Sequence, residues 1–175
     1  MEEKKRPYKA IDVANSVIKH FNNESKAITN LLLLKILYYL QADYLRKNEQ
    51  EPLFSDEIEM WGYGPVVPSV YHSFKENGMG PINKTYSYIE EKDGGWQLID
   101  ADQVDLNKAD KEEIFKLSDE IWKHYHKNPF ELVEKTHAEP MWADKKEEIE
   151  EGQHGLKYSN KELHDYFSNE DNWKW

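Results

Sequence analysis

The sequence predicts a mainly α, single compact domain: about six helices around a central apolar helix, with one small β-hairpin. Three observations carry this. Residues from Leu31 to Leu40 are apolar around almost the whole circumference of a helix. Stretches on either side repeat apolar residues at helical spacing. One segment, residues 85–100, instead sets aromatic and β-branched residues about Asp93-Gly94-Gly95. A length of 175 residues suits one domain able to bury a core, and neither an internal repeat nor a Pro/Gly/Ser-rich linker divides it. The domain is expected over residues 8–168, with 1–7 and 169–175 as flexible termini.

The first helix is expected over residues 10–21. Ala10, Val13, Ala14, Val17, Ile18 and Phe21 form its inner stripe, with Asp12, Asn15 and Lys19 outside. Thr29 can cap the central helix, which runs to about Arg46. Lys35 and Gln41 interrupt its apolar surface, so each must reach a partner or an edge, because a buried unpaired polar group is costly. Alternation of Ile58 and Met60 with Glu57 and Glu59 suggests a short extended piece. Gly62, Gly64, Pro65 and Pro68 then force irregular backbone, and Pro68 opens a short helix to about Asn77. Trp61 and Tyr63 are expected to pack on the central helix. After the hairpin, Asp110 and Glu113 give a capping-box-like start to a long helix buried through Ile114, Leu117, Ile121, Trp122 and Tyr125. Asn128-Pro129-Phe130-Glu131 opens another to about Lys135. The loop THAEPMW leads to a charged helical stretch ending at Gly152. Ser159 and Glu162 box the last helix, with Leu163, Tyr166 and Phe167 inward.

Composition narrows the function. There is no cysteine, hence no disulfide framework, thiolate zinc site or thiol catalysis. With 34 acidic against 23 basic side chains the net charge is −11, which argues against direct nucleic-acid binding. No apolar run approaches a membrane span and the charged start is not a signal peptide, so a cytoplasmic protein is expected. Residues 90–120 hold eleven acids and four bases. This is either a solvated face or a surface that meets a basic partner.

The seven histidines show neither H-x-x-x-H nor H-E-x-x-H. His124 and His126 point to different faces of a helix. His137 and Glu139 could supply two metal ligands from the loop and His154 a third, although such a loop histidine commonly hydrogen-bonds backbone. G-x-S-x-G and the P-loop are absent, and Val67 breaks G-x-G-x-x-G after Gly62-Tyr63-Gly64. No cofactor and no catalytic residue are expected.

Four motifs converge. L-L-K-I-L-Y-Y-L-Q (Leu33 to Gln41) precedes P-L-F (Pro52 to Phe54), and W-G-Y-G-P-V-V-P (Trp61 to Pro68) follows. Far downstream stands E-L-V-E-K-T-H-A-E-P-M-W (Glu131 to Trp142). In this order and separation they resemble the Panacea domain, the SocA-like antitoxin family also known from phage-associated proteins of the GepA type. The resemblance spans roughly residues 8–168. Departures lie at Met141, between Pro140 and Trp142, and at Ala42-Asp43 after the glutamine. Matching family positions are Lys35, Tyr38, Gln41, Trp61, Tyr63, Gly64, Pro65, Val66, His137, Glu139 and Trp142.

The resemblance implies a mostly helical, non-enzymatic protein that neutralises a toxin from an adjacent gene by binding it. Most motif residues are then expected to hold the shared fold, with specificity elsewhere on the surface. Lys35, Gln41, Tyr63, His137 and Glu139 are expected to share one buried polar network, so apolar replacement of Lys35 or His137 should destabilise. Partner contact is expected at Glu90, Glu91, Asp93, Glu112, Glu113, Asp119 and Glu120. Two alternatives stand beside this: an acidic phage-derived inhibitor of a host defence or nucleic-acid-binding protein, and a metal-dependent hydrolase using His137 and Glu139. A DNA-binding autoregulator fits least, since no basic recognition helix is visible. Oligomeric state is not set by the sequence.

Overall fold

The computed structural model describes residues 2–175. Its central element is α2 (Asn30–Lys47), in which every residue from Leu32 to Leu45 is buried. Thr29 caps it as expected, its hydroxyl accepting from the Leu32 amide at 3.3 Å. Around α2 pack α1 (Ala10–Asn23), α3 (Pro68–Phe74), α4 (Lys108–Tyr125), α5 (Pro129–Ala138) and α8 (Asn160–Phe167). Two short helices, α6 (Pro140–Ala143) and α7 (Lys146–Glu150), complete eight among the described residues. The strands are short. β1 (Glu2–Lys4) pairs in parallel with β6 (Val104–Leu106); β2 (Ile58–Trp61) lies between β3 (Gly64–Val66) and β7 (Lys157–Tyr158), antiparallel to both.

The remaining sheet is the expected hairpin, β4 (Tyr88–Lys92) with β5 (Gly95–Ile99). Asp93 and Gly94 stand at φ of 54° and 77°. Two consecutive left-handed residues make the tight two-residue connection that matches strand twist, and Asp-Gly accepts it at low cost.

Several expectations change. Asp12 and Asn15, assigned to the outside of α1, are buried at 2 % and 3 % exposure. The chain leading into β4 covers them: Asn15 exchanges hydrogen bonds of 2.9 and 2.8 Å with the Tyr86 backbone. Asp12 accepts from Lys4 Nζ at 2.8 Å and from the Tyr88 hydroxyl at 2.9 Å. Asn107, rather than Asp110, caps α4 through its side-chain oxygen. Asp110 is thereby free to accept from the Tyr8 and Tyr44 hydroxyls at 2.5 and 3.1 Å. The stretch read as the loop THAEPMW is largely helical, because Pro129 at the start of α5 and Pro140 at the start of α6 each favour a first helical turn. Near the two ends of the chain, β1 joins β6, while Trp173 and Trp175 approach Tyr39 edge-on at 6.2 and 4.9 Å.

Candidate functional site

The motif residues come together where β3 and α5 meet α2. On α2, Lys35 is fully enclosed, and its Nζ donates to the Pro65 carbonyl at 3.1 Å. Gly64 makes that approach possible. Its φ is 92°, and a Cβ there would stand 2.5 Å from Thr136 Oγ1 and 3.3 Å from Lys35 Cε. Only glycine satisfies both the backbone conformation and the space. Val66 continues β3 into the core. Burial depresses the Lys35 ammonium to about 7.

One turn further along α2, Tyr38 and Tyr39 both aim their hydroxyls at Glu139. Each donates to one of its carboxylate oxygens at 2.8 Å, and Lys135 Nζ stands 3.8 Å away. Glu139 follows the last residue of α5 and stands at the position just before α6, its side chain turned inward at 3 % exposure. Burial raises its carboxyl to about 7, against the opposing pull of Lys135 and the two phenols. Burial also lifts both phenols well above their ordinary value, and Glu139 adds to it. Burial lowers Lys135, with Glu139 acting the other way.

Gln41, at the end of the motif on α2, does something different. Its Oε1 accepts from the Leu53 and Phe54 amides at 2.8 and 3.1 Å, and its Nε2 donates to the Phe54 carbonyl at 2.9 Å. The glutamine thus fastens the P-L-F segment to α2 by satisfying three buried backbone groups. Trp142, at 3 % exposure, donates its indole N–H to the Trp61 carbonyl at 2.9 Å. His137 stacks on Trp142 with centroids 3.6 Å apart; burial lowers its imidazole, with the nearby Gly62 backbone acting the other way.

The single polar network expected from the sequence is therefore replaced by separate locks: Lys35 on Pro65, Gln41 on residues 53–54, Trp142 on Trp61 with His137 stacked against its ring, and Glu139 on two tyrosines. Tyr63 joins none of them. It is 66 % exposed at the turn between β2 and β3, and its nearest ring is Phe130, edge-on at 6.1 Å. Trp61 is half-buried, packed against the core and edge-on to Tyr71 at 5.0 Å. Sequence reasoning missed Tyr39, Lys135 and Thr136. A signal existed, since Glu139 needs a donor once buried, and adjacent tyrosines on a buried helix carry hydroxyls that need acceptors.

The arrangement does not suit a metal hydrolase at His137 and Glu139. Glu139 faces Tyr38 and Tyr39, His137 faces Gly62 and Trp142, and His154 is exposed beside Trp61 and Gly62. Among the described residues the group of three whose ligand atoms lie within 4.8 Å is instead His20, Glu24 and Asp119. Lys26 already occupies it, with Nζ 2.5 Å from Glu24 and 3.5 Å from Asp119.

The seven acids expected at a partner surface divide. Glu90 pairs with Lys9, and Asp119 with His20 at 2.9 Å. Glu113 lies 3.7 Å from Lys47. Glu91 and Asp93 on the hairpin, and Glu112 and Glu120 on α4, are exposed without an ion pair among the described residues. The hairpin also exposes apolar side chains: Ile89, Trp96 and Leu98 at 65, 78 and 66 %.

No solved structure matches the chain. Antitoxin SocA of Caulobacter vibrioides (strain NA1000 / CB15N) is 41 % identical over 51 residues, which is 29 % of this chain and 27 % of that protein. The alignment thus covers about a quarter of the relative's length. The family described as Antitoxin SocA-like, Panacea domain, matches residues 33–143, a span that opens on α2, includes the Gly64 turn and the Glu139 lock, and closes just after Trp142. The chain belongs to the SocA-like antitoxin, Panacea domain family.

Proposed function

We propose that this protein is an antitoxin that neutralises a toxin encoded by a neighbouring gene through direct protein–protein binding, acting in the cytoplasm and without catalysis of its own. The observation that carries the reading is where the family residues lie. Lys35, Tyr38, Gln41, Val66, Glu139 and Trp142 are all buried at 4 % exposure or less, and each has a packing or hydrogen-bonding task inside the domain. A signature spent on the scaffold leaves the outer surface to carry recognition. The net charge of −11 favours fast, salt-sensitive association with a basic protein.

The test is co-expression with the product of the adjacent open reading frame, scored first by growth and then by co-purification. Arrested growth with the neighbour alone, restored by this chain in a stable complex, is the expected result. A harmless neighbour that does not co-purify overturns the reading.

A further inference from the structure

The hairpin has two unlike faces. Strand pairing sets Ile89 opposite Leu98 and Glu91 opposite Trp96, so these four side chains share one face; Tyr88, Glu90, Gln97 and Ile99 share the other. The second face is fastened to the domain. Tyr88 donates to Asp12, and Lys9 pairs with Glu90 and lies over the Tyr88 ring at 4.7 Å. The first face is open. Ile89, Trp96 and Leu98, three large apolar side chains on one small sheet, remain about two-thirds or more exposed. Single exposed apolar residues need no explanation, but a contiguous set held on an anchored platform marks an interaction surface. The sheet has two strands, so both its outer edges are unpaired among the described residues and can accept an added strand.

Charge selects the occupant. Glu91 lies on the apolar face and Asp93 at its tip, neither with an ion pair among the described residues, and Asp100 follows β5. A second copy of the chain would bring like charges together, in a molecule already at −11. A segment bearing apolar side chains flanked by lysine or arginine would cover the face and neutralise its rim.

We propose that the Ile89–Trp96–Leu98 face of the hairpin is the docking surface for the protein this chain neutralises, and that it receives a basic segment of that partner, with Trp96 as the central anchor. This rests on the antitoxin reading above.

The test uses the adjacent open reading frame's product, co-expressed with the full chain as wild type, Trp96→Ser, or the Ile89→Ser/Leu98→Ser pair. Unchanged melting temperatures establish that the exposed substitutions leave the fold intact. The expected result is rescue and complex formation by wild type, with affinity reduced at least about thirty-fold by Trp96→Ser, the range of an interface anchor. Glu91→Gln/Asp93→Asn should slow association and flatten its salt dependence. If wild type and hairpin variants rescue and bind equally, the surface is wrong and the antitoxin reading stands. If wild type neither rescues nor binds, that reading falls and the docking proposal with it. Sedimentation showing a wild-type dimer that Trp96→Ser converts to monomer assigns the face to a second copy and overturns the basic partner.

Discussion

Glu139 offers a direct way to read the core through pH. Its carboxyl moves from an ordinary 4.5 to about 7 because burial disfavours the charged form. Between those values the folded chain keeps a proton that the unfolded chain has released. Stability therefore falls as pH rises from about 4.5 to about 7 and stays lowered above it. At about 1.4 kcal/mol per tenfold change in proton affinity, the full effect is about 3 kcal/mol. Glu139→Gln removes the titration while keeping an acceptor for one phenol and an amide that donates to the other. The assay is urea denaturation followed by tryptophan fluorescence at pH 4.5, 5.5, 6.5 and 7.5, for wild type and variant. Subtraction cancels every other titrating group that the substitution leaves alone. Wild type should lose ground against the variant by about 3 kcal/mol across the window. A difference constant to within about 0.5 kcal/mol would show that folding does not raise the Glu139 carboxyl, and would refute the account of the lock.

Lys35 gives the opposite limb. Its ammonium is lowered from 10.5 to about 7 by burial, so its contribution rises with pH between those values. Lys35→Met should be more stable than wild type by about 2 kcal/mol at pH 6, the lost bond to Pro65 offsetting part of the relief, and the advantage should shrink toward pH 10 by the same denaturation assay. This reverses the sequence-based expectation for that residue. Gly64→Ala should lower stability by about 3 kcal/mol, from the contact with Thr136 and the left-handed backbone together, and adding Thr136→Ala should recover part of it; thermal melts decide. Gln41→Leu strands two amides and a carbonyl and should cost about 3 kcal/mol, with hydrogen exchange quickened at Leu53 and Phe54. Glu139→Leu should cost about 2 kcal/mol or more at every pH, since both phenols lose their acceptor.

By itself the sequence determined whatever depends on residues near one another along the chain. Helical periodicity marked α1 and α2, the apolar circumference of residues 31–40 placed α2 at the centre, and Asp93-Gly94 fixed the hairpin turn. Thr29 and Ser159 with Glu162 were legible as caps, because a cap joins residues two or three apart. The motif order was enough for the family. What only the tertiary structure decided is which distant segment covers which polar group. Asp12 and Asn15 read as solvent-facing because periodicity reports an apolar stripe and says nothing of a later segment lying across the polar side. Asp110 read as a cap because its use by Tyr8 and Tyr44 is a contact across 102 and 66 residues. Tyr63 read as buried because packing is the commoner use of an aromatic side chain, yet a turn between two short strands holds it outward. The pairing of Glu139 with Tyr38 and Tyr39 spans about 100 residues, and the open face of the hairpin exists only because Tyr88 and Glu90 are anchored on the other. Local propensity acts through a few bonds of backbone, whereas burial is a property of what the whole chain brings together in space.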